Sequence, residues 1–142
     1  HALAYLGALV FSVPGIYLLV KGRRYIQAPT QTLLISLTVL LLGLVAMAIG
    51  GFVATLVGLW LFFTGFTALE AMLPSLASVY APESSRGTAM GVFASSQFIG
   101  VFFGGLLGGL LLELSGTTGV WLGMSLLTLL WAIVLGVPWG RT

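Results

Sequence analysis

GTAMGVFASSQFIGVFFGGLLGG, residues 87–109, carries seven glycines in one apolar run. In a helix exposed to water each of them costs roughly 1 kcal/mol against alanine. The stretch therefore reads as a helix only if its surroundings offer the backbone no competing partner. Hydrocarbon is such a medium, because an amide or carbonyl leaving the helix there finds no water to bind.

The rest of the chain agrees. Of 142 residues, 59% are hydrophobic and 6% charged, where a soluble domain carries about 25% charged residues. Lys21, Arg23, Arg24, Arg86, Arg141, Glu70, Glu83, Glu113 and the first residue, His1, are all the charged or imidazole groups there are. Such a chain cannot make a polar skin, so most of its surface is expected to face lipid. Aspartate, asparagine and cysteine are absent, which removes disulfides, thiolate metal sites and cysteine nucleophiles. No catalytic, metal or cofactor site is expected. The net charge of +2 comes from a few residues flanking apolar runs and is no nucleic-acid footprint. An apolar run follows His1 directly, unlike a signal peptide, and the chain is expected to be a piece whose natural beginning lies upstream.

Five apolar segments, 2–20, 31–50, 52–79, 88–112 and 119–138, each reach the roughly 20 residues needed to cross about 30 Å of hydrocarbon. The expected fold is an all-α integral membrane domain of five transmembrane helices. The links carry turn chemistry: KGRRYIQAPT at 21–30, the pair Gly50 and Gly51, APESSRG at 81–87, and LSGTTG at 114–119. Links this short make successive helices antiparallel neighbours. Pro82 is expected to stop the third span, and Ser84 or Ser85 to cap the fourth. If the chain starts outside, Lys21, Arg23, Arg24, Arg86 and Arg141 are all cytoplasmic, as the positive-inside rule favours, and so is the C-terminus. Tyr17, Tyr25, Tyr80 and Trp139 then form an inner aromatic belt, and Glu113 falls outside near Trp121.

Between lipid-solvated helices, close backbone approach replaces the hydrophobic effect as the adhesive. Gly87, Gly91 and Ser95 recur every four residues, as do Gly100, Gly104 and Gly108, with Gly105 and Gly109 one step round. They are expected to carve a groove for a neighbouring helix and to make the fourth span the most closely packed element.

Glu70 is the one acidic or basic residue inside any of the five spans. It sits about ten residues from the inner end of the third, a depth of ~15 Å, where a charge is costly and marks a pathway, a proton site or a paired partner. Thr67, Glu70, Pro74 and Ser78 share one face by their 3-4-4 spacing. Pro74 takes the helical amide partner from the Glu70 carbonyl, so a kink is expected beside the carboxyl. Ser95, Ser96 and Gln97 lie at a similar depth on the fourth span. Glu70 either couples protons to substrate movement or only hydrogen-bonds between helices. Phe62, Phe63, Phe66 and Met72 either line an apolar cavity or face lipid.

Residues 61–109, LFFTGFTALEAMLPSLASVYAPESSRGTAMGVFASSQFIGVFFGGLLGG, resemble the tenth and eleventh helices of the major facilitator superfamily, most closely its YajR-type, drug-efflux-like branch. The resemblance extends over nearly the whole chain as helices eight to twelve of a twelve-helix fold. It implies a proton-linked exporter of small molecules built from two six-helix halves with alternating access. It further implies that the third span lines the cavity, that the second and fifth are peripheral, and that the fourth packs on the absent N-terminal half. The start of the fourth, at Arg86, Gly87 and Thr88, would receive a carboxylate from that half, as the free amides of a helix start favour. KGRR at 21–24 resembles the superfamily's basic loop without its aspartate and glycine pattern, which leaves Lys21, Arg23 and Arg24 as topology determinants.

The expected partners are membrane lipid, the N-terminal half, a small amphipathic substrate and protons. The expected place is a bacterial inner membrane. Two other functions fit the same residues: an uncoupled facilitator of this fold, and a membrane scaffold or assembly subunit using the glycine groove. An intramembrane enzyme fits poorly, because the spans hold neither the histidine nor the aspartates that known intramembrane proteolysis needs. Purification without detergent is expected to yield no monodisperse species by size exclusion; a soluble, cooperatively unfolding monomer would refute the membrane assignment.

Overall fold

The computed structural model of the chain describes Tyr17 and residues 28–136. The expected span 2–20, apart from Tyr17, lies outside the described residues, as do Lys21, Arg23, Arg24, Tyr25, Trp139 and Arg141. The described chain is all helical: α1 (Pro29–Ile49), α2 (Phe52–Tyr80), a 3-10 turn (Glu83–Ser85) and α3 (Arg86–Gly136). All three α-helices are long and apolar enough to cross a membrane.

Pro29 opens α1 at a position where no amide is needed. Ala28 offers no side-chain cap, and Thr32 instead returns both its amide and its hydroxyl to the Ala28 carbonyl, each at 3.1 Å. The link from α1 to α2 is Gly50 (φ 80°, ψ −179°) and Gly51 (φ 87°, ψ 149°), a combination open essentially to glycine alone. The Gly50 amide closes on the Met47 carbonyl at 3.2 Å, and the Thr55 amide reaches the Gly51 carbonyl at 2.9 Å. So tight a link leaves α1 and α2 no choice but to lie side by side.

Their contact is a small-residue seam. A Cβ placed on Gly43 would lie 2.5 Å from the Phe62 amide nitrogen and 2.7 Å from the Gly58 carbonyl oxygen. One on Gly58 would meet the Gly43 carbonyl at 2.7 Å, and one on Gly65 the Ser36 carbonyl at 2.6 Å. Ser36 faces Gly65 and Gly43 faces Gly58, and both pairs on each helix are seven residues apart. That is the seven-residue repeat by which two antiparallel helices keep one stripe of each against the other. Flanking the seam, Leu37, Leu40, Leu44, Leu69, Met72 and Leu76 form the core, and Ile35, Leu42 and Val45 are exposed on the other side of α1. A helix apolar on its buried and its exposed face alike belongs in lipid.

α3 differs from the expected pair of separate spans. It takes up 88–112 and the described part of the fifth expected span, 119–136, as one helical element interrupted at a single residue, Gly116 (φ 66°, ψ −167°). The chain nevertheless reverses there. A Cβ on Gly123 would lie 2.5 Å from Leu111 Cδ1, and one on Gly108 would lie 3.5 Å from Met124 Cε. Residues twelve or more apart stand ~18 Å apart or farther along a straight helix, so the arms 86–115 and 117–136 fold back on each other. A turn expected over six residues is concentrated in one, because the left-handed conformation of Gly116 alone supplies the reversal.

Trp121, Met124, Ala132 and Leu135 of the second arm pack on the α1–α2 core. The first arm buries no residue fully. The fourth expected span is thus not the tightest element among the described residues; the two-glycine link forces that role onto α1 and α2. Ser84 and Ser85, expected as caps, lie within the 3-10 turn, where the Ser85 amide bonds the Pro82 carbonyl at 3.1 Å.

Gly65→Leu pushes side-chain atoms into the Ser36 backbone, which cannot yield as a flexible side chain does. A loss of about 3 kcal/mol is expected, read as a lowered thermal unfolding midpoint in detergent. At Gly105 a Cβ would meet nothing within 4 Å. Gly105→Leu is therefore expected to change the chain's own stability by no more than about 0.5 kcal/mol.

Candidate functional site

The seam fixes which way the rest of α2 points. At 3.6 residues per turn, Glu70 stands roughly 140° around the helix from the Gly58, Gly65 and Met72 line, and it is exposed on the chain's surface near the middle of a 29-residue helix. Thr67, Pro74 and Ser78 share that face and are half-buried. The polar stripe therefore lies opposite the three-helix core.

The hydroxyls near the carboxyl serve the backbone. Thr67 Oγ1 donates to the Phe63 carbonyl, and Ser96 Oγ to the Val92 carbonyl at 2.8 Å. Thr64, Ser125 and Thr128 make the same bond four residues back. In lipid this removes a hydroxyl hydrogen that would otherwise stand unpaired. Pro74 has no amide, so the Glu70 carbonyl is without its usual helical donor, yet α2 runs on through Pro74 to Tyr80. Ser95, Ser96 and Gln97 are all exposed on the first arm of α3, and no hydrogen bond joins them to Glu70 among the described residues.

The aromatic candidates separate by face. Met72 is fully buried in the core, so it lines no cavity. Phe62 and Phe66 stack with centroids 5.8 Å apart and planes at 8°, and Phe63 meets Phe62 edge-on at 5.7 Å. Phe62 is partly packed on the core, whereas Phe66 is exposed.

The glycines of 87–109 also separate. Nine residues from Gly91 to Gly100 amount to about 180° of rotation, so the two four-residue rows lie on opposite faces of one helix and do not form one groove. Gly104 and Gly108 are half-buried toward this chain, with Gly108 beside Met124. Gly87, Gly91, Ser95, Gly105 and Gly109 are exposed on the far side, and a Cβ on any of these glycines meets nothing within 4 Å. Gly87 and Thr88 are exposed at the start of α3, next to Arg86. Ser36, Gly43, Gly58 and Gly65 were not expected as packing residues; their heptad spacing was the available signal.

The sequence profile of the Major Facilitator Superfamily matches residues 1–141. The chain belongs to the major facilitator superfamily. Among curated proteins, this superfamily member is 46% identical over 78 residues, 55% of its length, to the inner membrane transport protein YajR of Escherichia coli K12. It is 36% identical over 59 residues, 42% of its length, to an "uncharacterized transporter" of Buchnera aphidicola. The matched stretches cover 17% and 15% of those relatives, so the chain corresponds to under a fifth of each. Its membership and its long apolar helices make it an integral membrane protein.

The two glycine faces are expected to respond differently to bulk. Gly108→Leu should force Met124 away and weaken the α3 hairpin by about 1–3 kcal/mol, while Gly91→Leu should leave the isolated chain's unfolding unchanged. Equal midpoints for the two variants in detergent would show that the faces are not distinct.

Proposed function

We propose that the chain is the C-terminal part, helices eight to twelve, of a secondary active transporter that exports small amphipathic molecules in exchange for protons. One observation carries this: a carboxyl, Glu70, in the interior of a membrane-length helix, on the face of α2 turned away from the packed core. Intramembrane acids are costly and cluster on ion and substrate pathways, and the superfamily supplies the transport context. Thr67, Pro74, Ser96 and Gln97 complete the pathway candidates. Helical packing on the preceding half falls to the face of Gly87, Gly91, Ser95, Gly105 and Gly109, with Arg86 and Thr88 at its cytoplasmic end. On the opposite face only Gly108 meets the chain's own hairpin, at Met124, while Gly104 is half-buried and Gly100 exposed with nothing within 4 Å of a Cβ at either.

Arg86 at the start of α3, with Lys21, Arg23, Arg24 and Arg141 in the sequence, supports a cytoplasmic side for those segments and the C-terminus by the positive-inside rule. A bacterial inner membrane as its place is supported by the likeness to the inner membrane transport protein of Escherichia coli.

The test is transport by the full-length protein in proteoliposomes. Gradient-driven export is expected to fall more than tenfold in Glu70→Gln while substrate exchange without a gradient persists. Proton coupling unchanged in that variant removes Glu70 from the mechanism. Wild-type transport surviving an ionophore points to the facilitator, and no transport at all points to the scaffold.

A further inference from the structure

The first amides and last carbonyls of a helix lack intrahelical partners and cannot stand in hydrocarbon, so the two ends of α1 mark where water begins. Thr30 and Gln31 are exposed at its first turn. Its 21 residues measure about 31 Å, the thickness of the hydrocarbon layer. The seam then gives the level of every residue of α2. A Cβ on Gly43 lies against the Gly58 carbonyl and the Phe62 amide, one on Gly58 against the Gly43 carbonyl and the Met47 amide, and one on Gly65 against the Ser36 carbonyl and the Leu40 amide. A helical carbonyl and the amide four residues on lie at the height of the residue midway between them. Gly43 is thus level with Trp60, Gly58 with Val45 and Gly65 with Thr38. All of these contacts agree on one register, and continued to the inner end it sets Glu70 level with Leu33 and Pro74 level with Pro29.

The chain beyond Pro74 therefore overhangs. Residues 75–80 of α2 continue past the start of α1 for about 9 Å, and Glu83, Ser84, Arg86 and Thr88 are exposed just after them. The outer turn cannot take up this excess length instead. Residues 48–54 read AIGGFVA, with Ile49 77% and Phe52 79% exposed, and raising such side chains clear of the lipid would put their apolar surface in water. We infer that Glu70 is a cytoplasm-side group, held one helical turn, about 6 Å, inside the inner edge of the hydrocarbon layer, and that the ends of α2 and α3 beyond it stand in water. Counted from Tyr80 the carboxyl would lie ~15 Å deep; the overhang accounts for the difference. Ser96 stands as far from Arg86 along α3 as Glu70 does from Tyr80 along α2, so the short turn Glu83–Ser85 brings it to the same level. Arg86 identifies this end as the inner one. On the proposed transport function, from which its purpose follows, Glu70 is the inner entrance at which an exporter takes up its substrate. Its depth follows from α1 and the seam alone.

The test uses the full-length protein in membrane vesicles, with any cysteine outside residues 1–142 replaced by serine, since 1–142 hold none. Single cysteines are placed by Val79→Cys and Thr88→Cys on the overhang and by Glu70→Cys and Ser96→Cys at the proposed level, all exposed positions in this chain. The probe is a membrane-impermeant trimethylammonium methanethiosulfonate, added to inverted vesicles and to right-side-out ones. In inverted vesicles the overhang positions are expected to react fastest, and Glu70→Cys and Ser96→Cys within about tenfold of them; in right-side-out vesicles all four should react at least tenfold more slowly. Ser96→Cys leaves the carboxyl in place, and thermal unfolding of each variant checks that the fold is kept. Reaction at Glu70→Cys or Ser96→Cys at least a hundredfold slower than at Val79→Cys from the inside overturns the shallow depth. Faster reaction in right-side-out vesicles overturns the side, and unreactive Val79→Cys and Thr88→Cys overturn the overhang. These rates need no transport, so a protein that moves no solute yet labels in this pattern keeps the depth and loses the transport reading. Proton coupling lost in Glu70→Gln, with Glu70→Cys closed to the inside, does the reverse.

Discussion

In hydrocarbon an amide or carbonyl that leaves its helix finds nothing to bind, and helices gain little by hiding apolar surface from a solvent equally apolar. Both consequences are visible here. Hydroxyls on the helices turn back to the carbonyl four residues earlier, as Thr32, Ser36, Thr64 and Thr128 do. Cohesion comes from backbones brought close enough for dispersion to act between them. At Gly43, Gly58 and Gly65 no room remains for even a methyl group, and the left-handed pair Gly50 and Gly51 makes that approach unavoidable. Ser36 fits the same seam because its hydroxyl is already bound to Thr32, so burying it exposes no unpaired hydrogen.

How much of this could be read beforehand depended on the period considered. The positions of α1 and α2 follow from apolar length and from two glycines in succession. The seam itself was hidden, since single glycines at 43, 58 and 65 do not form the four-residue repeats that draw the eye. A heptad is the natural period of two nearly antiparallel helices, because 3.5 residues per turn keeps one stripe facing its neighbour. The conspicuous repeats of 87–109 misled for the same geometric reason. Rows that look continuous along the sequence were offset by nine residues, which is half a rotation, and so point to opposite sides of the helix. The reversal after Leu114 was legible as turn chemistry. That it would fall on Gly116 alone was not, because Ser115, Thr117 and Thr118 can all be helical and only the backbone of Gly116 reveals the break.

The candidate site was legible at Glu70, since one acid in five apolar segments needs no alignment to stand out. Its surroundings were less so. Thr67 and Ser96 look like hydrogen-bond partners by depth and face, yet short hydroxyl side chains in a helix compete first for their own backbone. Met72 and Phe66 look alike in composition, but a separation of six residues turns them some 120° apart around the helix, too far to share one lining. One is sealed in the core and the other exposed.

Seam and site are one mechanical unit. A helix transmits rotation rigidly over a few turns, so the azimuth of Glu70 is fixed by the register in which Gly58 and Gly65 meet Gly43 and Ser36. Sliding that register by one residue would turn α2 by about 100°, carrying the carboxyl toward the core and bringing β-carbons into contact where the glycines had been. The steric cost of that slip falls on backbone atoms, which cannot rearrange as side chains do, and this holds the acid on its outward face more firmly than any bond it makes itself. The arm 86–115 has no comparable constraint: it is joined by a short 3-10 turn at one end and a single left-handed glycine at the other, with its far glycine face uncovered by this chain. The position of Glu70 is therefore set within α1 and α2, and the placement of 86–115 relative to it depends on what packs against that arm.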